Sequence, residues 1–143
     1  MIVPYDARYE TELIAMCREA FEHGVGITDP NPIAAQTQYF RDVVLRENTV
    51  RMVLDDDTLV AFLASTPSTV AQLYVRVGHH RRGIGTQLIE LAKQESDGTL
   101  TLFTFDSNKV AQAFYEQHGF VLAERGFEHD WQLEDIRYEW RRP

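Results

Sequence analysis

A chain of 143 residues with 44% apolar and 25% charged side chains can build one domain around one core, with no metal or disulfide staple. Its formal charge of −8 disfavours nucleic acid, whose phosphates demand an extended basic surface, and suits a cationic partner such as an amine. The longest apolar run, Leu59 to Ala64, is far short of the ~20 residues of a membrane span, and Pro4, Asp6, Arg8 and Glu10 interrupt any signal-peptide core.

Residues Ile2 to Tyr5 read as a short strand. From Arg8 to Glu22, Leu13, Cys17, Ala20 and Phe21 recur at helical spacing, which marks a one-sided helix. Cys17, the one cysteine, falls on that apolar stripe, so it is expected as a buried small residue rather than a nucleophile. With the composition, this points to a soluble, cytoplasmic protein. "HGVGITDPNP" follows, and its glycines and prolines are expected to stop the helix. A second helix begins near Pro32 or Ile33, with Ile33, Thr37, Phe40 and Val44 as its stripe, and ends near Asn48.

The period then changes. Thr49 to Leu54 and Thr58 to Ser65 read as strands joined by Asp55, Asp56 and Asp57, a triplet better explained by turn geometry than by a cation. Pro67 and Ser68 break the chain before a third strand, Val70 to Val77, with Ala71, Leu73, Val75 and Val77 on one face. A helix from Gly83 to about Ser96 carries Ile84, Leu88, Leu91 and Ala92, and Gly98 stops it. Thr99 to Phe105 is a β-prone strand. Asp106 to Asn108 supply cap chemistry for a helix reaching His118, where Gly119 closes it. Phe120 to Glu124 and Ile136 to Arg141 complete the chain as strands, with Tyr138 and Trp140 on one face. The order describes one mixed α/β domain over residues 1–143, with no repeat or linker to divide it.

Two stretches carry chemistry. In "HHRRGIGTQL", a strand runs into a helix through Arg81, Arg82, Gly83, Ile84, Gly85 and Thr86. The first N–H groups of a helix have no intrahelical partner and, with the helix dipole, favour an anion. Glycines at 83 and 85 would let a phosphate approach, the arginines would add charge, and Thr86 would add a hydroxyl. The lysine of a Walker A loop and the third glycine of the dinucleotide fingerprint are both missing. A tight turn with two solvated arginines remains the bland alternative. In "NKVAQAFYEQHGF", Val110 and Phe114 are expected to face the core, while Ala111 leaves room beside the helix for a ligand that the Tyr115 phenol would reach. The competing reading makes Tyr115 an amphipathic residue at the core's edge.

Together and in this order, the two stretches resemble the GNAT superfamily of acetyl-CoA-dependent N-acetyltransferases. That family's phosphate signature is matched by "HRRGIG", His80 to Gly85, with His80 where Gln or Arg is usual. Its later motif is matched by Asn108, Ala111, Phe114, Tyr115, Gly119 and Phe120. The resemblance implies a mostly antiparallel sheet of about six or seven strands with four helices and splayed central strands. It implies that the diphosphate of acetyl-CoA sits on the amides from Arg81 to Thr86. The pantetheine would pair with backbone across Leu73, Tyr74, Val75 and Val77, with Asn108, Ala111 and Phe114 alongside. Tyr115 would stand by the thioester sulfur as its proton donor, and a backbone N–H at Tyr74 or Val75 would meet the carbonyl oxygen. No metal is called for, and a homodimer is compatible.

The acceptor implied is a small amine or a protein amino group. Its base is not legible, because "STVAQLYVRV" holds no acid. Glu22, His23, Asp29, Glu128, His129 and Asp130 are candidates, as is a chain of waters. Specificity is expected in residues 22–35 and 124–135, where Asp29, Glu128 and Asp130 would pair with a cation and Trp131 would stack on one. Two other functions stay open: an acyl-CoA-binding sensor without turnover, and an interaction domain whose glycine turn binds nothing.

Overall fold

The computed structural model describes residues 1–80 and 82–143; Arg81 lies outside the described residues. Strand β1 (Ile2–Pro4) leads through a short 3-10 turn into α1 (Glu10–Val25). Leu13, Ile14, Met16 and Cys17 bury the inner face of α1, and burial pushes the Cys17 thiol up to about 12. The helix runs past Gly24 and stops only at Gly26, whose φ of 85° is the left-handed value glycine adopts without strain. The helix expected to end near Glu22 thus runs about one turn further, and it is stopped within the expected glycine- and proline-bearing stretch.

Next, α2 (Ile33–Tyr39), a π-helical stretch (Phe40–Val44) and α3 (Leu45–Glu47) run on as one helix. The Leu45 N–H reaches back five residues to the Phe40 carbonyl. Phe40 and Val44 are buried, but Ile33 is 52% exposed, so only the second half of the expected stripe packs.

Strands β2 (Thr49–Asp55), β3 (Thr58–Ser65) and β4 (Val70–Val75) join β1 in a sheet of order β1-β2-β3-β4, antiparallel throughout. Asp56 takes the tight turn with φ 54°, a conformation Asp tolerates. β3 is central and covered on both faces, so it reads as a continuous apolar run rather than an alternating one. Phe62 and Ala64 pack with α1 and Phe40, while Ala61 and Leu63 pack on the opposite side with Leu88 and Ile89. Each such Leu or Phe contributes about 1.5–3 kcal/mol relative to exposure.

The remaining elements are α4 (Ile84–Gln94), β5 (Thr99–Phe105), α5 (Lys109–Gln117), β6 (Val121–Glu128) and β7 (Leu133–Arg141). The three strands form a second antiparallel sheet, β5-β7-β6. Ile136, Tyr138 and Trp140 turn one face of β7 into the core, and the Tyr138 hydroxyl donates to Glu116 Oε2 at 2.6 Å. The last two strands are longer than their sequence pattern, and most of residues 124–135 is hairpin rather than open connection. Among the described residues the fold therefore has seven strands and four helical segments, as expected.

Candidate functional site

Among the described residues the two sheets are joined by one parallel bridge, between Thr69 and Thr101, supported by the Thr101 N–H donating to the Ser68 carbonyl at 3.0 Å. Beyond that bridge β4 and β5 diverge. The register across β3 and β4 then decides which groups are left unpaired. Arg76 N–H donates to the Val60 carbonyl at 2.7 Å, and Tyr74 lies opposite Phe62. Antiparallel pairs alternate between bonded and unbonded, so Tyr74 and Arg76 exchange bonds with β3. Leu73 and Val75 therefore point their N–H and C=O groups the other way, into the gap. Of the two candidate carbonyl-oxygen donors, Val75 is the one whose amide faces the opening; that of Tyr74 is spent on β3. Strand β4 ends at Val75, and Val77 falls in the turn with Gly78 rather than on the strand.

The divergence opens a cleft of about 390 Å³, within the range of small-molecule sites. Its walls bring together Leu73 and Tyr74 from β4 with Asn108, Ala111 and Tyr115 from α5, all selected by sequence. Phe21 and Val25 of α1 close one side, and Phe103 and Phe105 of β5 face them. Tyr115 is 8% exposed, and its ring lies 6.4 Å from that of Tyr138. Burial raises the Tyr115 phenol well above its usual 10, which favours its protonated form. Burial does the same to Tyr74, with Cys17, Tyr115 and Asp29 adding to the effect.

Asn108 has a structural task. Its Oδ1 accepts the Ala111 N–H at 3.1 Å and so caps α5, and only its amide nitrogen remains for a ligand. That nitrogen packs against Gly24, where a Cβ would come within 2.7 Å of Asn108 Nδ2. Gly24 thus lets α1 approach the start of α5. Val110 is 72% exposed, contrary to its expected place in the core, because α5 turns Tyr115 and Ala111 inward instead.

The glycine turn follows the C-terminal end of β4, and its described residues do not line the cleft wall. Gly83 precedes α4 with φ 76°, and Gln87 N–H is bonded to the Gly83 carbonyl at 3.0 Å, so the amides of Ile84, Gly85 and Thr86 stand ahead of the helical ladder. Gly85 has a packing role besides the one its motif suggests. A Cβ there would meet the Phe114 ring at 3.1 Å, so the glycine lets α4 pack on α5. Ile84 and Phe114 are part of that packing. Arg82 is exposed, and the expectation for Arg81 falls outside the described residues. The Thr86 hydroxyl and His118 Nε2 stand 3.2 Å apart and tie the turn to the end of α5. Burial and nearby Lys93 hold His118 below the ordinary histidine value, which favours its neutral form. His80 is lowered too, by partial desolvation and by His23 and His79.

Several acceptor-side candidates have other employment. Glu22 accepts the Asp29 N–H at 2.7 Å, and Asp29 Oδ1 accepts from Asn31 and lies 4.0 Å from Arg18. Trp131 is packed 4.9 Å from Phe21 and 6.4 Å from Phe105, so it forms part of an aromatic wall. Glu128 does reach the cleft wall, beside Asp135 of β7. Asp135 was not legible as a site residue: an acid within an alternating strand looks like any solvated position.

Residues 46–122 match the family model described as acetyltransferase (GNAT) domain. No curated protein matches the chain. Among solved structures, the chain is similar to apo-form YjaB from Escherichia coli, with 17% identity, TM-score 0.81, and coverage of 100% of this chain and 98% of that one. It is similar to the PaiA N-acetyltransferase of Thermoplasma acidophilum in complex with coenzyme A, with 18% identity, TM-score 0.76 and 99% and 98% coverage. It also resembles YncA of Salmonella typhimurium with its cofactor acetyl-CoA, with 12% identity, TM-score 0.72 and 99% and 92% coverage. At these identities the likeness concerns the fold.

Proposed function

The chain belongs to the GNAT acetyltransferase family, and from that premise we propose that residues 1–143 form one N-acetyltransferase domain, moving the acetyl group of acetyl-CoA directly to an amine acceptor. The observation that carries the reading is the unpaired edge of β4, with the Leu73 and Val75 backbone facing a cleft that also contains Tyr115. A cytoplasmic setting accords with Cys17, a free and buried thiol.

The residues fit the co-substrate. The amides of Gly83, Ile84, Gly85 and Thr86, with Arg81 and Arg82, hold the diphosphate. Leu73 and Val75 pair with the pantetheine amides, Tyr74, Ala111 and Phe114 shape the channel, Asn108 offers its amide nitrogen, and Val77 lies on the approach. Acetyl-CoA, when bound, supplies an acetyl thioester whose carbon–sulfur bond breaks as the acceptor nitrogen bonds to the carbonyl carbon. Val75 N–H donates to the carbonyl oxygen as charge builds there; one such donor is worth about 2.7–4 kcal/mol. Tyr115 gives its proton to the departing sulfur, whose own proton affinity rises in the same desolvated cleft.

The acceptor must lose a proton before it attacks. An amine of pKa about 10.4 is roughly one part in 2,500 neutral at pH 7, a handicap of about 4.6 kcal/mol. Among the described residues β4 offers no acid for this, and the proton passes either to Glu128, which lines the cleft wall, or to water.

Calorimetry with acetyl-CoA, followed by thiol release against an amine panel, tests the reading. Tyr115→Phe is expected to cut turnover by about 10²-fold or more and to change acetyl-CoA affinity far less. Turnover equal to wild type would remove the phenol from the chemistry. No heat with acetyl-CoA would remove the whole reading.

A further inference from the structure

The cleft wall carries two phenols, Tyr74 of β4 and Tyr115 of α5. They come from opposite faces of the sheet. Tyr74 packs with Leu13, Phe40 and Phe62 on the α1 side, its ring lying on that of Phe62 with centroids 5.9 Å apart and planes 27° from parallel. Tyr115 packs on the other side, with Val75, Leu88 and Ile89. Side chains along β4 alternate between the faces, so Tyr74 and Val75 enter different cores. The gap between β4 and β5 is where the two phenols border one space.

The Tyr74 hydroxyl is uncommitted. Among the described residues it makes no hydrogen bond with the protein, and the fold does not seal it from solvent. Asp29, the acid whose charge it feels, is held otherwise: its Oδ1 accepts the Asn31 N–H at 2.8 Å and the Asn31 side-chain amide at 3.0 Å. Burial, then Cys17, Tyr115 and Asp29, favour the protonated phenol, so Tyr74 is not the base. A hydroxyl that keeps its proton and has free lone pairs is an acceptor for an N–H. Its place on the strand says which one. The next residue is Val75, whose N–H meets the carbonyl oxygen, while Tyr115 meets the sulfur. Those two donors serve the departing side of the reaction and leave Tyr74 for the incoming side. We propose, on the footing of the acetyltransferase reading, that Tyr74 is a second catalytic residue: its hydroxyl oxygen accepts an N–H of the attacking amine and aims the nitrogen lone pair at the acetyl carbon. As the nitrogen–carbon bond forms and the carbon–sulfur bond breaks, positive charge grows on the nitrogen and this hydrogen bond tightens. Tyr74 transfers no proton; the one shed by the nitrogen leaves by Glu128 or water.

Tyr74→Phe keeps the ring on Phe62 and removes the hydroxyl. With the full chain it is expected to lower kcat and kcat/KM for the amine together by about tenfold, with acetyl-CoA affinity by calorimetry within about twofold of wild type. Fluorotyrosines placed at position 74 keep the hydroxyl and weaken its oxygen as an acceptor. Turnover is therefore expected to fall step by step with added fluorine, a gradient that a merely structural ring would not give. These proteins decide the matter equally should Tyr74→Phe fail to fold. Without turnover, the fluorine resonance of the singly fluorinated protein is expected to shift saturably when an amine is added to its complex with free coenzyme A. The probe is the primary amine that gives the fastest thiol release in the panel. Wild-type turnover in Tyr74→Phe, turnover that rises or stays level with fluorination, a parallel loss of acetyl-CoA affinity, or a fluorine resonance blind to the amine overturns the inference. No heat from acetyl-CoA with the wild type defeats the transferase reading beneath it, whereas heat and turnover indifferent to Tyr74 defeat this inference alone.

Discussion

Replacing Gly85 by alanine would put a methyl group 3.1 and 3.2 Å from two ring carbons of Phe114 and 3.8 Å from Val75 Cγ2. The first two separations are inside the 3.5–4.0 Å of ordinary carbon contact, so the ring must give by a few tenths of an ångström. It has little freedom to do so, with the Tyr115 ring 5.2 Å away and the His118 ring 4.7 Å away. Helix propensity favours alanine by at most about 1 kcal/mol, whereas overpacking costs about 1–3 kcal/mol. The net expectation is a loss of about 0–2 kcal/mol, and about 4 °C of melting temperature for each kcal/mol at this chain length. Acetyl-CoA affinity should fall with it, because Gly85 joins the amides of the turn to the helix bearing Tyr115. Adding Phe114→Leu gives the methyl group room, so the double variant should be more stable than the sum of the singles by about 1 kcal/mol. Gly83→Ala is the contrast: among the described residues, its chain neighbours aside, no atom lies within 4 Å of its Cβ, but φ is 76°, so it should lose about 1–2 kcal/mol that Phe114→Leu does not restore. A Gly85→Ala protein as stable as wild type, with additive double-variant energetics and unchanged acetyl-CoA affinity, would refute the packing account.

Two further outcomes follow from the same contacts. Gly24→Ala should lose its propensity gain of up to about 1 kcal/mol, because its methyl group would come within 2.7 Å of Asn108 Nδ2 and disturb a cap worth about 0.5–2 kcal/mol. Thermal melts of Gly24→Ala, Asn108→Ala and the pair should therefore be non-additive; additive losses would disconnect the two sites. The fold lowers the pKa of both His80 and His118 and so favours their neutral forms. Since the unfolded chain takes up these protons first, their stabilising effect is complete above the unfolded value of about 6.5 and is lost as pH falls through the lower folded values. Melting temperature should thus drop between about pH 7 and about pH 5.5, and less steeply for His118→Gln; an equal slope in both proteins would contradict the neutral assignment.

Much of this molecule is written locally. The change of hydrophobic period from helical to alternating, the Asn108 cap, the turn at Asp56 and the position of the glycine turn all depend on neighbours a few residues away, so they were legible from the chain. The same local signals misled wherever a distant element intervened. Gly24 has the composition of a helix breaker, yet it continues α1 because Asn108, far along the chain, needs the space. Gly85 is singled out by its motif for the approach of a phosphate, and the fold adds a packing requirement that the motif does not report, the space taken by the Phe114 ring.

What the sequence alone determined is the set of elements, their order and the two motifs, because periodicity records how each segment divides between core and surface. What only the tertiary structure decided is the divergence of β4 from β5, the turning of the Leu73 and Val75 amides into the gap, and the presence of Asp135 on the cleft wall. Those depend on strand register and pairing. Register and pairing are settled between residues far apart in the chain, where no local pattern reports them.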